Sequence, residues 1–224
     1  MKRVVLIALV GLAFAVSLSA QQVVLSRSFS HSGPATPSYG GWQVMNGRLY
    51  QTEANNPLAK INFAAPQSGI MEYTFNVRYE TGLQDNKGGF GIQIFIDKAF
   101  DRRSWGDGRS YLLWLNYDLH PTYGGAGFRA QVYRSTSNSE MVLMPGYDIA
   151  LNASDLPTSD TSVIVPVKII VDGATGQVKV WDPTQDHYYY TFNLGAAPGS
   201  GNYIALRTNS LSVSFGNLQV TRLE

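Results

Sequence analysis

Met71-Glu72-Tyr73-Thr74-Phe75-Asn76-Val77-Arg78-Tyr79 alternates apolar and polar side chains without a break. Successive side chains of a strand point to opposite faces, so this stretch predicts a strand with one face in a core. The same period returns in Phe90, Ile92, Ile94 and Ile96, in Tyr111, Leu113, Leu115 and Tyr117, and in Phe128, Ala130 and Val132. Later strands are expected at 163–171, 177–181, 188–194, 203–208 and 211–223, and shorter ones upstream at 23–29, 42–45, 48–52 and 58–63. Turn-forming runs separate them: Asn46-Gly47, Lys87-Gly88-Gly89, Gly124-Gly125, Asp172-Gly173 and Pro198-Gly199. Helical spacing is sustained nowhere beyond residue 20. Roughly thirteen short strands with Gly-rich turns predict an all-β fold, a single jelly-roll β-sandwich of two antiparallel sheets. Segment 136–161, rich in Ser, Asn, Asp and Pro, is expected to be irregular and to loop across one edge. With no linker and no internal repeat, residues 21–224 read as one domain.

Composition narrows the function classes. Of 224 residues, 44% are hydrophobic and 15% charged, the latter below the ~25% of ordinary soluble domains. Lys and Arg number 17 against 16 Asp and Glu, which leaves no basic surplus for a nucleic acid. The absence of cysteine removes disulfides, thiolate metal sites and a cysteine nucleophile together. Met1, Lys2 and Arg3 precede an apolar run at 4–16, then Ser17, Leu18, Ser19 and Ala20 lead into Gln21-Gln22. That order is a secretory signal peptide at 1–20, cleaved after Ser19 or Ala20. Its apolar run falls short of the ~20 residues a membrane span needs, and no later run approaches that length. A secreted or periplasmic chain, near neutral and without a transmembrane segment once processed, is expected.

Two passages carry a family resemblance. Gly40-Gly41-Trp42-Gln43-Val44-Met45-Asn46-Gly47-Arg48-Leu49 resembles the opening hairpin of concanavalin A-like, laminin-G-like domains. Val171-Asp172-Gly173-Ala174-Thr175-Gly176-Gln177-Val178-Lys179-Val180-Trp181, with 204–208 and 213–220 after it, resembles their closing hairpin and final strands. The resemblance implies two curved sheets whose concave face often binds or cuts carbohydrate. The family also includes adhesive and structural modules, so fold alone does not decide function.

If the four central strands lie side by side with their apolar sets inward, the opposite face collects Glu72, Thr74, Asn76, Gln93, Phe95, Asp97, Trp114, Asn116, Asp118, Arg129, Gln131 and Tyr133. Aromatic rings among amides and a guanidinium suit a sugar, because pyranose faces stack on rings while amides bond hydroxyls. The candidate ligand-binding set is therefore Gln93, Phe95, Trp114, Asn116, Arg129, Gln131 and Tyr133. The competing account makes the same residues the plain outside of a sheet, or the floor beneath a loop such as 136–161.

Signs of catalysis are weak. The glucanases of this fold carry E-x-D-x-x-E on one strand face, and no such triplet occurs. Glu72 and Asp97, facing each other across neighbouring strands, are the one acid pair available for glycoside hydrolysis. No G-x-S-x-G elbow occurs, so Ser-His-Asp chemistry is unsupported. Calcium is the one cofactor with candidate ligands: Asp85-Asn86, Asp101, Asp107-Gly108 and Asp118 are loop or strand-end oxygens, though not at EF-hand spacing. His31, His120 and His187 show no zinc spacing. The segment Phe100-Asp101-Arg102-Arg103-Ser104-Trp105-Gly106-Asp107-Gly108-Arg109 reads either as a gripping loop or as a solvated one with local ion pairs. Tyr188, Tyr189 and Tyr190 must divide between two faces, and exposed rings suit a protein interface as well as a sugar. Three functions follow in order: a non-catalytic carbohydrate-binding module, a structural or assembly protein of the cell envelope or a periplasmic filament, and a glycoside-processing enzyme. The partner is correspondingly a glycan or an envelope protein.

Overall fold

The computed structural model of the chain describes residues 21–30, 38–82, 88–118, 127–150, 161–182 and 187–223. The expected signal peptide lies outside the described residues, as do His31, Asp85-Asn86 and His120. The strands are β1 (Gln22–Arg27), β2 (Ser38–Tyr39), β3 (Trp42–Met45), β4 (Arg48–Gln51) and β5 (Ala59–Ser68). Then come β6 (Ile70–Gly82), β7 (Gly89–Ile96), β8 (Ser110–Asp118), β9 (Gly127–Ser135) and β10 (Met141–Ala150). The last are β11 (Val165–Asp172), β12 (Gln177–Trp181), β13 (Tyr189–Asn193), β14 (Ser200–Asn209) and β15 (Leu211–Arg222).

They form two antiparallel sheets. One runs β13-β12-β11-β6-β15-β4-β3, with β1 also on β15; the other runs β10-β9-β8-β7-β14-β5-β2. The alternating apolar sets of both meet in one core, where Tyr73, Phe75 and Phe215 from the first face Phe63, Ile92, Ile94 and Leu206 from the second. The fold is an all-β sandwich, and among the described residues no helix is long and apolar enough to cross a membrane.

Local chemistry sets the corners. Asn46 and Gly47 both have positive φ, 50° and 72°, the conformation of a two-residue type I′ hairpin between β3 and β4. At the β11–β12 turn the Asp172 carboxylate accepts from Ala174 N (2.8 Å) and Thr175 Oγ1 (2.6 Å). Two further corners switch sheets. Gly69 alone separates β5 from β6, and Ser210 alone separates β14 from β15. One residue is too few for the common hairpin loops, so each pair of consecutive strands parts to opposite layers.

Three expectations are corrected here. The four central strands do not lie side by side: β6 pairs with β11 and β15, whereas β7, β8 and β9 adjoin one another in the other sheet. Residues 141–150 are a strand rather than part of an irregular segment. Met141-Val142-Leu143-Met144 lacks alternation, and Pro145-Gly146 resembles a break. The break is a register slip between Leu143 and Asp148 on an edge strand, where proline is tolerated. Third, Phe95 leaves its expected face. Its φ is +53°, the β7–β14 register slips between Tyr203 and Ala205, and its ring enters the core at 2% exposure. Gln67 Oε1 holds this bulge by accepting from Phe95 N (2.9 Å) and Tyr73 OH (2.7 Å).

Candidate functional site

Paired residues on antiparallel neighbours share a face. The register therefore builds a row across the seven-stranded sheet: Tyr39, Lys60, Arg207, Gly91, Trp114 and Gln131. The adjacent row runs Asn62, Ala205, Gln93, Leu112, Tyr133 and Leu143. Both rows face away from the core, because Ile61, Leu206, Ile92, Leu113 and Val132 between them point into it.

Trp114 occupies a bed made by two glycines. A Cβ on Gly89 would stand 2.6 Å from Trp114 Cζ2, and one on Gly91 would stand 3.0 Å from Trp114 Cε3. No side chain other than hydrogen fits beneath the indole. The ring consequently stands over the backbone of β7 at Gly89 and Gly91, half-buried. Glycine within a strand weakens it, and a repeated pair marks a place where something must approach the backbone closely. Here that something is an indole.

The loop at 97–109 covers the other end of both rows. Lys60 Nζ lies 3.1 Å from Asp107 Oδ1 and donates to Ser104 Oγ at 2.6 Å. Arg207 donates to Gln93 Oε1 (2.8 Å), Trp105 O (2.9 Å) and Ser104 O (3.0 Å). Phe100 N donates to Asp107 Oδ1 (2.8 Å), while Asp107 Oδ2 is buried without a hydrogen-bond partner. Burial pulls the Lys60 ammonium down to about 8 against the upward pull of Asp107, and pulls Arg207 down to about 10. Burial likewise raises Asp107, against the opposing pull of Lys60 and Arg207. From this anchorage Trp105 projects to 43% exposure. Its ring packs edge-on against Tyr133 (centroids 6.3 Å apart, planes at 83°), and its Nε1 donates to Met141 O at 2.7 Å.

The sequence-derived residues separate accordingly. Trp114, Gln131, Tyr133 and Gln93 stand on this face, with Asn116 and Arg129 in register on the next row. Gln93 is fully buried, donating to Ser110 Oγ (2.7 Å) while it accepts from Arg207. Gln131 and Arg129 are largely buried, and Gln131 Oε1 accepts from Tyr133 OH at 3.0 Å. Phe95 is in the core, as above. Glu72 and Asp97 do not face each other, because β6 belongs to one sheet and Asp97 follows β7 of the other. Glu72 pairs with Lys168 at 2.9 Å on the far face, and Asp97 pairs with Arg109 at 2.9 Å. Asp107 turns inward to Lys60 rather than forming an ion pair within its own loop.

Of the oxygens considered for calcium, Asp107 is committed to Lys60 and lies near Arg207, surroundings that repel a second cation. Among the described residues no group of three His, Asp or Glu side chains converges on one point. Lys60 and Arg207 are the members of this region that sequence reasoning does not place, while Trp105 lies in the segment that it reads either as a gripping loop or as a solvated one. A signal for Lys60 exists in Lys60-Ile61-Asn62-Phe63, whose alternation puts Lys60 on the outward face.

The chain matches no family model and no curated protein sequence. Solved structures do resemble it. A mutant form of the Emp46p carbohydrate recognition domain superposes with TM-score 0.60 at 10% identity, over 88% of this chain and 94% of that one. The Emp47p carbohydrate recognition domain gives 0.56 at 12% identity, over 88% and 93%. The carbohydrate-binding module CBM66 from Bacillus subtilis gives 0.55 at 11% identity, over 84% and 98%. Likeness at such identity concerns the fold, and with the two antiparallel sheets above it leads to one statement: the chain has the concanavalin A-like, lectin-type β-sandwich fold.

Proposed function

We propose that this chain is a secreted or periplasmic, non-catalytic module that binds carbohydrate on the outer face of its seven-stranded sheet. The observation that carries the proposal is the half-buried Trp114 indole seated over Gly89 and Gly91. A half-buried ring held in place over a sheet offers a pyranose an apolar surface to stack upon, at little conformational cost. The similar structures add support, since their names describe carbohydrate recognition and carbohydrate binding. The order of the first twenty residues supports export.

The test is a glycan array probed with the processed chain, with and without calcium. Specific binding that Trp114→Ala removes, while the thermal melt is preserved, is the expected result. A parent chain blank on every glycan, or a Trp114→Ala variant that binds as well as the parent, overturns the proposal. Calcium-dependent binding would call for a cation site elsewhere than Asp107.

A second reading, an envelope or filament assembly protein, has one observation in its favour. Strand β13 pairs with β12 along one side, and its sequence, Tyr189-Tyr190-Thr191-Phe192-Asn193, holds neither charge nor proline. Natural sheets usually place such residues on edges to block pairing with another chain. A monomeric mass at high concentration would count against assembly through this edge.

A further inference from the structure

We infer that the ligand of this face is an oligosaccharide chain, and that Trp105 provides its second stacking position. The inference rests on the carbohydrate reading above and adds the length of the ligand to it. It begins from a mismatch between what Trp105 exposes and what holds it. The indole is 43% open to water, yet the backbone around it is tied down by groups that water does not reach. Arg207 bonds the carbonyls of Ser104 and Trp105, and Lys60 bonds Ser104 Oγ, which in turn donates to Gly106 O at 2.6 Å. Asn138 O accepts from Gly106 N at 3.0 Å, and Ser135 Oγ accepts from Asp107 N at 3.2 Å. The ring itself is fixed through Nε1 to β10 and by its edge against Tyr133.

Taking a lysine, an arginine and one carboxylate out of water is costly, and neutral hydrogen bonds suffice to hold an ordinary surface loop. Expense of this kind concentrates where a side chain must be held in one place for a ligand. What this network holds in place is an exposed indole.

Its position gives the length. Tyr133, on which Trp105 rests, lies two residues along β9 from Gln131, the cross-strand partner of Trp114. Two residues of strand advance about 7 Å and neighbouring strands lie about 5 Å apart. The indole of Trp114 leans the other way, from Gly91 toward Gly89, so the two aromatic surfaces stand more than one sugar unit apart. Trp114 over β7 and the Trp105–Tyr133 pair at β9 thus offer two separate aromatic surfaces on one face of the sheet. A single sugar meets the first, and a chain of three or more meets both.

The experiment is titration calorimetry of the full chain with defined oligosaccharides, from one to six units, of the glucan, xylan, mannan, galactan and fructan series. In the series that binds, affinity is expected to rise on passing from one unit to three or more. Trp105→Ala should remove that gain, a loss of on the order of tenfold for the chain, and leave single-sugar affinity unchanged. Trp105→Phe should keep most of it, and Trp114→Ala should weaken both ligands. Equal losses for sugar and chain in Trp105→Ala, no loss at all, or affinity independent of length would each overturn the inference while leaving the carbohydrate reading intact. Binding by no series would overturn both. Coincident thermal melts of parent and Trp105→Ala exclude unfolding as the cause of any loss.

Discussion

Lys60 Nζ and Asp107 Oδ1 lie 3.1 Å apart with neither side chain reached by solvent, and this contact ties the loop at 97–109 to strand β5. Arg207, equally buried, gives the cluster two cations for one anion. The imbalance makes its members unequal. Lys60→Met leaves Asp107 facing Arg207, a compensated if weaker arrangement. Asp107→Asn leaves two buried cations with no counter-charge. Breaking a buried pair costs about 3–5 kcal/mol when a charge is stranded. Asp107→Asn is expected at or above that range and Lys60→Met clearly below it, measured by urea unfolding at pH 7. Equal costs would show that the network is neutralised by something else.

The same cluster fixes a pH dependence whose sign runs against habit. Lys60 titrates near 8 in the folded chain, whereas the unfolded chain keeps the ordinary lysine value of 10.5. Between those values the unfolded chain holds the proton and the folded chain has lost it. Stability from this residue therefore rises with pH through that window, by at most about 1.4 kcal/mol per pH unit. Burial also raises Tyr73, which makes the folded chain hold a proton that the unfolded chain releases above pH 10, so the useful window is pH 8 to 10. Unfolding free energies at pH 7.5, 9 and 10 should climb in the parent relative to Lys60→Met. Parallel curves for the two proteins would refute the assignment.

Much of this molecule is legible in its sequence because period-two alternation is a local property. Tyr73, Phe75 and Val77 are in the core as their spacing requires, and Trp114, Gln131 and Tyr133 are on the opposite face of their own sheet. What escapes is decided by single residues or by distant ones. Gly69 and Ser210 send consecutive strands to different layers, which removes Glu72 from the neighbourhood of Asp97. A one-residue bulge at Phe95 inverts a side chain without disturbing the alternation before it, as a slip of one position must. Lys60, Asp107 and Arg207 lie on three separate stretches of chain, and no spacing rule joins them before the sheet is assembled.

Phe95 supplies a direct check on that bulge. Were its ring on the outer face, Phe95→Ala would weaken glycan binding and leave stability nearly intact. In the core, packed with Ile94 and Leu206 in the same buried cluster, its removal should cost about 3–5 kcal/mol. Ligand affinity should stay that of the parent at temperatures where the variant is folded. Urea melts combined with calorimetric titration separate the two cases.

The bed under Trp114 makes the last prediction. Gly89→Ala would place a methyl group 2.6 Å from Trp114 Cζ2 and equally close to Leu115 O. The carbonyl belongs to the β7–β8 ladder and cannot retreat without loss of pairing, so the indole must lift and β7 must shift slightly against β8. Overpacking of this kind costs about 1–3 kcal/mol. A lifted ring no longer keeps its place over the sheet, so the surface presented to a sugar is displaced even though every polar neighbour remains. Gly89→Ala is therefore expected to lower stability modestly and to change the tryptophan band of the near-ultraviolet circular dichroism. Glycan affinity should fall toward that of Trp114→Ala. A variant with altered stability but unchanged spectrum and affinity would show that the orientation of Trp114 does not depend on the glycine beneath it.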